Sequence, residues 1–182
     1  MPKGKKCLGI SIRNWKTADE SFKVSVSEAI CAVCKKYDMF PVFLPLKQPE
    51  DIETSENLAK ELSVNSLILR NNYSAAEIIG IVGEMELMLC MRLHAVIYSA
   101  NVYVPTVNIS YDPKVSNIVS YLGLGKSLEI ADITGEKLEK QMSDIIENNE
   151  EIKNELLSKC ADFKEKAKKD ACIAFEMINN RA

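Results

Sequence analysis

Short apolar runs alternate with longer amphipathic stretches along most of this chain, and that alternation is its strongest constraint on fold. Residues 7–13 read as a strand, with Ile10 and Ile12 inside it. Residues 21–37 read as a helix, because Val26, Ile30, Val33 and Tyr37 recur at three-to-four spacing. Residues 40–44 form the next strand, stopped by Pro45. Residues 51–62 form a helix whose apolar positions are Ile52, Leu58, Ala59 and Leu62, and residues 66–70 a third strand. Ser74-Ala75-Ala76-Glu77 is a capping box that opens a helix holding Ile78, Ile79, Ile81 and Val82. Residues 86–91 and 104–109 are the fourth and fifth strands. The helix between them, residues 93–101, has almost no polar face and is expected to be buried. A short helix at 114–122 and a brief strand at 128–130 follow. Parallel strands need crossover helices, and strands apolar on both faces are covered on both faces. The pattern therefore predicts an α/β fold, a doubly wound, Rossmann-like parallel sheet.

The 182 residues suffice for one domain. Half of residues 135–170 are charged, with both signs interleaved at helical spacing, so residues from about 132 to 182 read as a charged helical tail. That tail has two readings: a solvated helix laid across the domain, or a strap reaching toward a partner domain. A net charge of −3 gives no nucleic-acid footprint. No run approaches the about 20 apolar residues of a membrane span, and the apolar stretch after the basic amino terminus is too short for a secretory signal. A cytoplasmic protein is expected. Six cysteines suit that compartment. Cys31 and Cys34 form a C-x-x-C, but it lies in a helical pattern and has no second ligand pair, which favours core packing over metal or redox chemistry.

Doubly wound sheets bind ligands beyond the carboxyl ends of their strands, where strand order reverses. In the order 3-2-1-4-5-6, strands one and four meet there. Strand one ends at Arg13, strand four runs into Arg92 and His94, and the loop after strand five carries Tyr111, Asp112 and Lys114. Three loops thus bring Arg13, Arg92, His94 and Lys114 to one crevice. Arginine forks suit phosphate or carboxylate oxygens, each charge-assisted bond contributing about 1.5–3 kcal/mol. A helix amino terminus adds N–H groups and a positive dipole end. His94 is the sole histidine; its place beside Arg92 at the switch point argues for function rather than core packing. One histidine without convergent carboxylates argues against a metal site. Gly-rich phosphate motifs fail: Gly123-Leu124-Gly125 follows a helix, and the Walker-like ending Gly125-Lys126-Ser127 has Ser120 where its first glycine belongs.

These same residues resemble the polysaccharide pyruvyl transferase family, CsaB-like members included. The resemblance rests on Gly9-Ile10-Ser11-Ile12-Arg13-Asn14-Trp15, on Phe43-Leu44-Pro45 with Pro49-Glu50-Asp51, on Met91-Arg92-Leu93-His94-Ala95, and on Ile109-Ser110-Tyr111-Asp112-Pro113-Lys114-Val115. It covers nearly the whole chain and corresponds to the family's C-terminal half; the N-terminal lobe is expected to be absent from this polypeptide. The resemblance implies one Rossmann-like lobe of a GT-B-type, two-lobed enzyme. It implies phosphoenolpyruvate as donor substrate, with no further cofactor, and a glycan or lipid-linked sugar of a cell wall or capsule as acceptor. The product is a pyruvate ketal. By motif match, Arg13, Arg92 and His94 contact phosphoenolpyruvate, and Lys114 is a further contact. His94 would serve as general acid and Arg92 would stabilise the leaving phosphate. Asp112 has two readings, a catalytic helper or the cap of the turn and helix at Pro113. Trp15 and Tyr111 either flank the ligand or fill core and lid positions. Two other classes remain in view: a glycosyltransferase lobe binding a nucleotide sugar, and a non-catalytic phosphoanion-binding module. The first would want a ribose-binding carboxylate after the helix following strand four, where the chain offers Asn101 and Pro105.

Overall fold

A computed structural model describes residues 4–14, 20–122 and 127–179. Six parallel strands form one sheet: β1 (Lys6–Ser11), β2 (Met39–Phe43), β3 (Leu67–Ile68), β4 (Leu87–Cys90), β5 (Thr106–Ser110) and β6 (Leu128–Glu129). Their order is β3-β2-β1-β4-β5-β6, the doubly wound order expected. The chain runs outward from β1 to β3, returns across the sheet, and runs outward again from β4. The reversal therefore falls between β1 and β4.

The helices are α1 (Glu20–Lys36), α2 (Glu50–Glu61), α3 (Ala75–Gly83), α4 (Leu93–Asn101), α5 (Pro113–Tyr121), α6 (Gly135–Glu147) and α7 (Asn149–Asn179). Alternation along the strands splits the core in two. Leu8, Ile10, Leu87, Leu89, Val107 and Ile109 face one way, against Val26, Ile30 and Val33 of α1, Leu58 of α2, and Leu138 and Met142 of α6. Cys7, Met88 and Cys90 face the other way, against Ile78 and Val82 of α3, Val96 of α4, and Val115 and Val119 of α5. Gly9 points to this second side, where a Cβ would run into Met88 Sδ and come within 3.0 Å of Met85 Cγ. The C-x-x-C sits in α1, with both cysteines buried as packing residues.

Two elements differ from their sequence reading. Helix α4 buries only Ala95, Val96, Ser99 and Ala100; His94 is exposed and Ile97 stands 39% exposed. It covers the sheet with one stripe, and its apolar flanks form the walls of surface grooves. The charged segment is two helices rather than one. Helix α6 lies along α1 and plants Leu138 and Met142, both fully buried, in the core. Only α7 has the solvated character of its charges, burying Asn149, Leu156 and Cys160 and leaving Ile173, Phe175 and Ile178 exposed. Asn149 Nδ2 donates to the Glu86 carbonyl at 3.0 Å, which fixes the start of α7 beside β4. Among the described residues, no helix is long and apolar enough to cross a membrane.

Candidate functional site at the strand switch point

Strand register determines which side chains meet. Ser11 pairs with Cys90, and Cys90 with Asn108, so the ends of β1, β4 and β5 are level. The Met91 N–H donates to the Ser11 carbonyl at 2.8 Å and carries the β1–β4 pairing one step further. Arg13 and Arg92 each follow two residues after the paired Ser11 and Cys90, on neighbouring strands spaced about 4.8 Å apart. The two arginines thus leave the sheet side by side at the reversal.

Each is held by a partner. Arg13 Nη1 donates to the Tyr111 hydroxyl at 2.8 Å. The same guanidinium lies 4.8 Å from the centre of the Tyr111 ring, in cation–π range. Arg92, the N-cap residue of α4, forms a two-pronged ion pair with Asp51. Its Nε donates to Asp51 Oδ2 at 2.9 Å, and its Nη2 donates to Oδ1. Asp51 has no exposed side-chain surface, and Arg92 keeps 15%. The Lys47 N–H gives Asp51 Oδ2 a further bond at 2.9 Å. A buried carboxylate is tolerated when a cation and fixed donors satisfy it in this way. The pair engages two of the five guanidinium N–H donors, so Arg92 brings the crevice directed donors more than net charge.

From sequence alone, Asp51 stands at the start of a helix and in a segment carrying the family resemblance, without an assigned partner. A signal was present: Asp51, Ser55 and Leu58 recur at helical spacing and are the buried positions of α2. A carboxylate in phase with Leu58 must be buried, and so requires a cation.

The remaining candidates separate. His94 is exposed on the first turn of α4, with its ring 6.0 Å from that of Tyr98, and it lines a groove between α4 and the loops after β2 and β3. Lys114 is exposed and lines a different, shallower groove on the α5 side of α4, beside Leu93 and Asn117. His94 and Lys114 thus flank α4 on opposite sides and do not share a groove. Asp112 is the N-cap of α5; its Oδ1 accepts the Lys114 N–H at 2.8 Å, the capping arrangement. Trp15 lies outside the described residues. Among the described residues, no group of three or more His, Cys, Asp or Glu side chains is placed to hold a metal ion.

A doubly wound sheet with a level crevice at its reversal and a long C-terminal helix defines a Rossmann-like lobe of the GT-B kind. Solved structures agree. A putative UDP-N-acetylglucosamine 2-epimerase from Listeria monocytogenes superposes with a TM-score of 0.61 at 11% identity, covering 84% of this chain and 39% of that one. The C-terminal domain of a glycosyl transferase group 1 family protein from Francisella tularensis gives 0.56 at 14% identity, covering 87% and 84%. A UDP-forming trehalose-phosphate synthase from Burkholderia vietnamiensis gives 0.54 at 12%, covering 94% and 45%. At such identities the likeness is one of fold. Against the first of these the chain spans about two fifths of the neighbour's length, and against the Francisella domain most of it. A comparison with curated proteins gives no match. The polysaccharide pyruvyl transferase family matches residues 4–113, and this chain belongs to that family.

Proposed function

We propose that this chain is the phosphoenolpyruvate-binding lobe of a transferase that builds pyruvate ketals on glycan sugars. The observation that carries the reading is the pair of ordered arginines, Arg13 and Arg92, at adjoining strand ends, with His94 two residues beyond Arg92. Phosphoenolpyruvate presents a phosphate and a carboxylate, and two guanidinium forks suit two oxyanions.

The chemistry balances with these groups. One acceptor hydroxyl bonds to C2 of phosphoenolpyruvate as the C3 methylene gains a proton and becomes a methyl group. The C2–O bond to phosphate then breaks, and a second hydroxyl of the same sugar closes the ketal. The two hydroxyl protons end on C3 and on phosphate. In this reading His94 delivers the C3 proton. Arg92, immobilised by Asp51, donates to the departing phosphate without reorganising. Arg13 holds the other oxyanion with Tyr111 behind it. Lys114 contributes to the field at the helix-flank opening rather than to the inner contacts. The acceptor is a sugar of a polymeric or lipid-linked glycan, met from the cytoplasm, and the catalytic cycle as a whole includes a facing lobe.

Calorimetry tests the donor assignment. Phosphoenolpyruvate should bind saturably and a UDP-sugar should not. Arg13→Lys keeps the charge and loses the fork, and should weaken phosphoenolpyruvate binding about tenfold or more. Saturable binding of the UDP-sugar with no heat from phosphoenolpyruvate would overturn the assignment in favour of a nucleotide-sugar lobe. With a family N-terminal lobe supplied, His94→Ala should abolish phosphate release; full turnover would remove its acid role.

A further inference from the structure

The groove that His94 lines has a volume of about 430 Å³, enough for a single sugar ring with its substituents. Its walls are Gln48, Asn71, Asn72 and Tyr73 from the loops after β2 and β3, with His94 and Tyr98 from α4. None of the residues that line it is Asp, Glu, Lys or Arg. A groove this neutral contrasts with the arginine-bearing crevice next to it.

One helix terminus at the groove, that of α3, offers an anion nothing. The first turn of α3 borders the groove through Ala75, but the helix is closed by its own capping box. Ser74 Oγ accepts the Glu77 N–H at 3.3 Å, and Glu77 Oε2 accepts the Ser74 N–H at 2.8 Å. The Glu77 carboxylate occupies the positive end of α3, so a phosphate there would meet a negative charge. The groove is also preformed. Gln48 Nε2 donates to the Asn71 carbonyl at 3.1 Å and ties the two wall-forming loops together.

We infer that this groove binds the neutral sugar ring that receives the pyruvyl group, and so supplies acceptor recognition from the same lobe as the donor. The inference rests on the donor reading above, because that reading gives His94, which lines the groove, the part of the acid. Side-chain amides carry both donors and acceptors and so match the alternating roles of sugar hydroxyls. Tyr73 and Tyr98 bring apolar faces with polar tips, suited to a ring with a C–H face and hydroxyl edges. His94 at the groove wall places the acid beside the hydroxyls that attack. A nucleobase is the competing neutral occupant.

The test is a side-chain amide NMR titration of the full chain. The probes are methyl glycosides of glucose, galactose, mannose, N-acetylglucosamine and N-acetylmannosamine, with uridine alongside. At least one glycoside should saturably shift the Asn71, Asn72 and Gln48 amide signals. Asn72→Ala should weaken that glycoside about fivefold, the loss of one neutral hydrogen bond. Calorimetric phosphoenolpyruvate binding should stay within about twofold of the parent, which also verifies folding. The inference is overturned if no glycoside moves these amides, if the shifts map elsewhere, or if uridine alone moves them. Phosphoenolpyruvate binding in the same sample keeps the two readings apart. Its presence without glycoside binding removes only the groove assignment. Its absence with glycoside binding removes the donor assignment and with it the acceptor role, leaving a sugar-binding groove.

Discussion

Asp51 and Arg92, 41 residues apart in the chain, form the buried ion pair that fixes the Arg92 side of the crevice. The pair joins the first turn of α2 to the N-cap of α4, just past the end of β4. Removing one member should cost more than the pair contributes, because the other is left charged and buried. Asp51→Ala should lower stability by about 3–5 kcal/mol, and Asp51→Asn by less because the amide oxygen still accepts a bond. Urea denaturation measures both. Equal losses would mean that the charge of Asp51 contributes nothing.

Gly9 is required by a neighbour rather than by backbone conformation. Its missing Cβ leaves space for Met88 Sδ on the crowded face between β1 and α3. Gly9→Ala should cost about 1–3 kcal/mol, the usual penalty of overpacking. Shortening Met88 in the same chain should make the two costs less than additive, since the residues share one volume. Strict additivity in thermal or denaturant unfolding would refute the contact.

The cysteines should separate by reactivity. Burial pushes the Cys34 and Cys90 thiols up to about 12, with Cys31 adding to the first and a Ser99 hydrogen bond partly offsetting the second. Desolvation also raises Cys7 and Cys160. A thiol with a raised pKa is protonated at pH 8 and does not attack a disulfide reagent. Only Cys172 is exposed. Ellman's reagent at pH 8 should therefore release one equivalent quickly and the remainder only after denaturation. A second fast equivalent would show that one of the buried thiols is open to solvent.

Helix α6 should behave as core despite its charges. Met142→Ala removes a fully buried side chain between α6 and the sheet and should cost about 2–5 kcal/mol. Leu157, 53% exposed on α7, should tolerate alanine within about 0.5 kcal/mol. Similar values for the two would contradict the division of the charged segment at Asn148.

The sheet was legible because buried parallel strands are written as unbroken apolar runs. The adjacency of β1 and β4, and with it that of Arg13 and Arg92, was legible through the common doubly wound order 3-2-1-4-5-6. The α3 cap was legible because Ser74 and Glu77 are local. Long-range partners were not. Nothing near Arg92 in sequence announces Asp51, and nothing near Arg13 announces the Tyr111 hydroxyl, 98 residues away. The convergence of Lys114 with His94 was inferred from loop order. Loop order does not specify which flank of α4 a side chain takes. Helix α4 misled for a related reason. An all-apolar helix suggests burial, but here its outward flanks are groove walls, and walls can be apolar without being core.

Tyr111 holds the Arg13 guanidinium by its hydroxyl and by its ring face at once, which leaves that side chain little rotational freedom. Arg92 is similarly confined by the buried, two-pronged pairing with Asp51. The conformational entropy of two long side chains is thus surrendered when the chain folds, not when a ligand arrives. If the crevice takes the oxyanion proposed for it, it does so as a rigid receptor: a ligand that fits should find its donors already aimed, and one displaced by an ångström should find no side chain free to follow it.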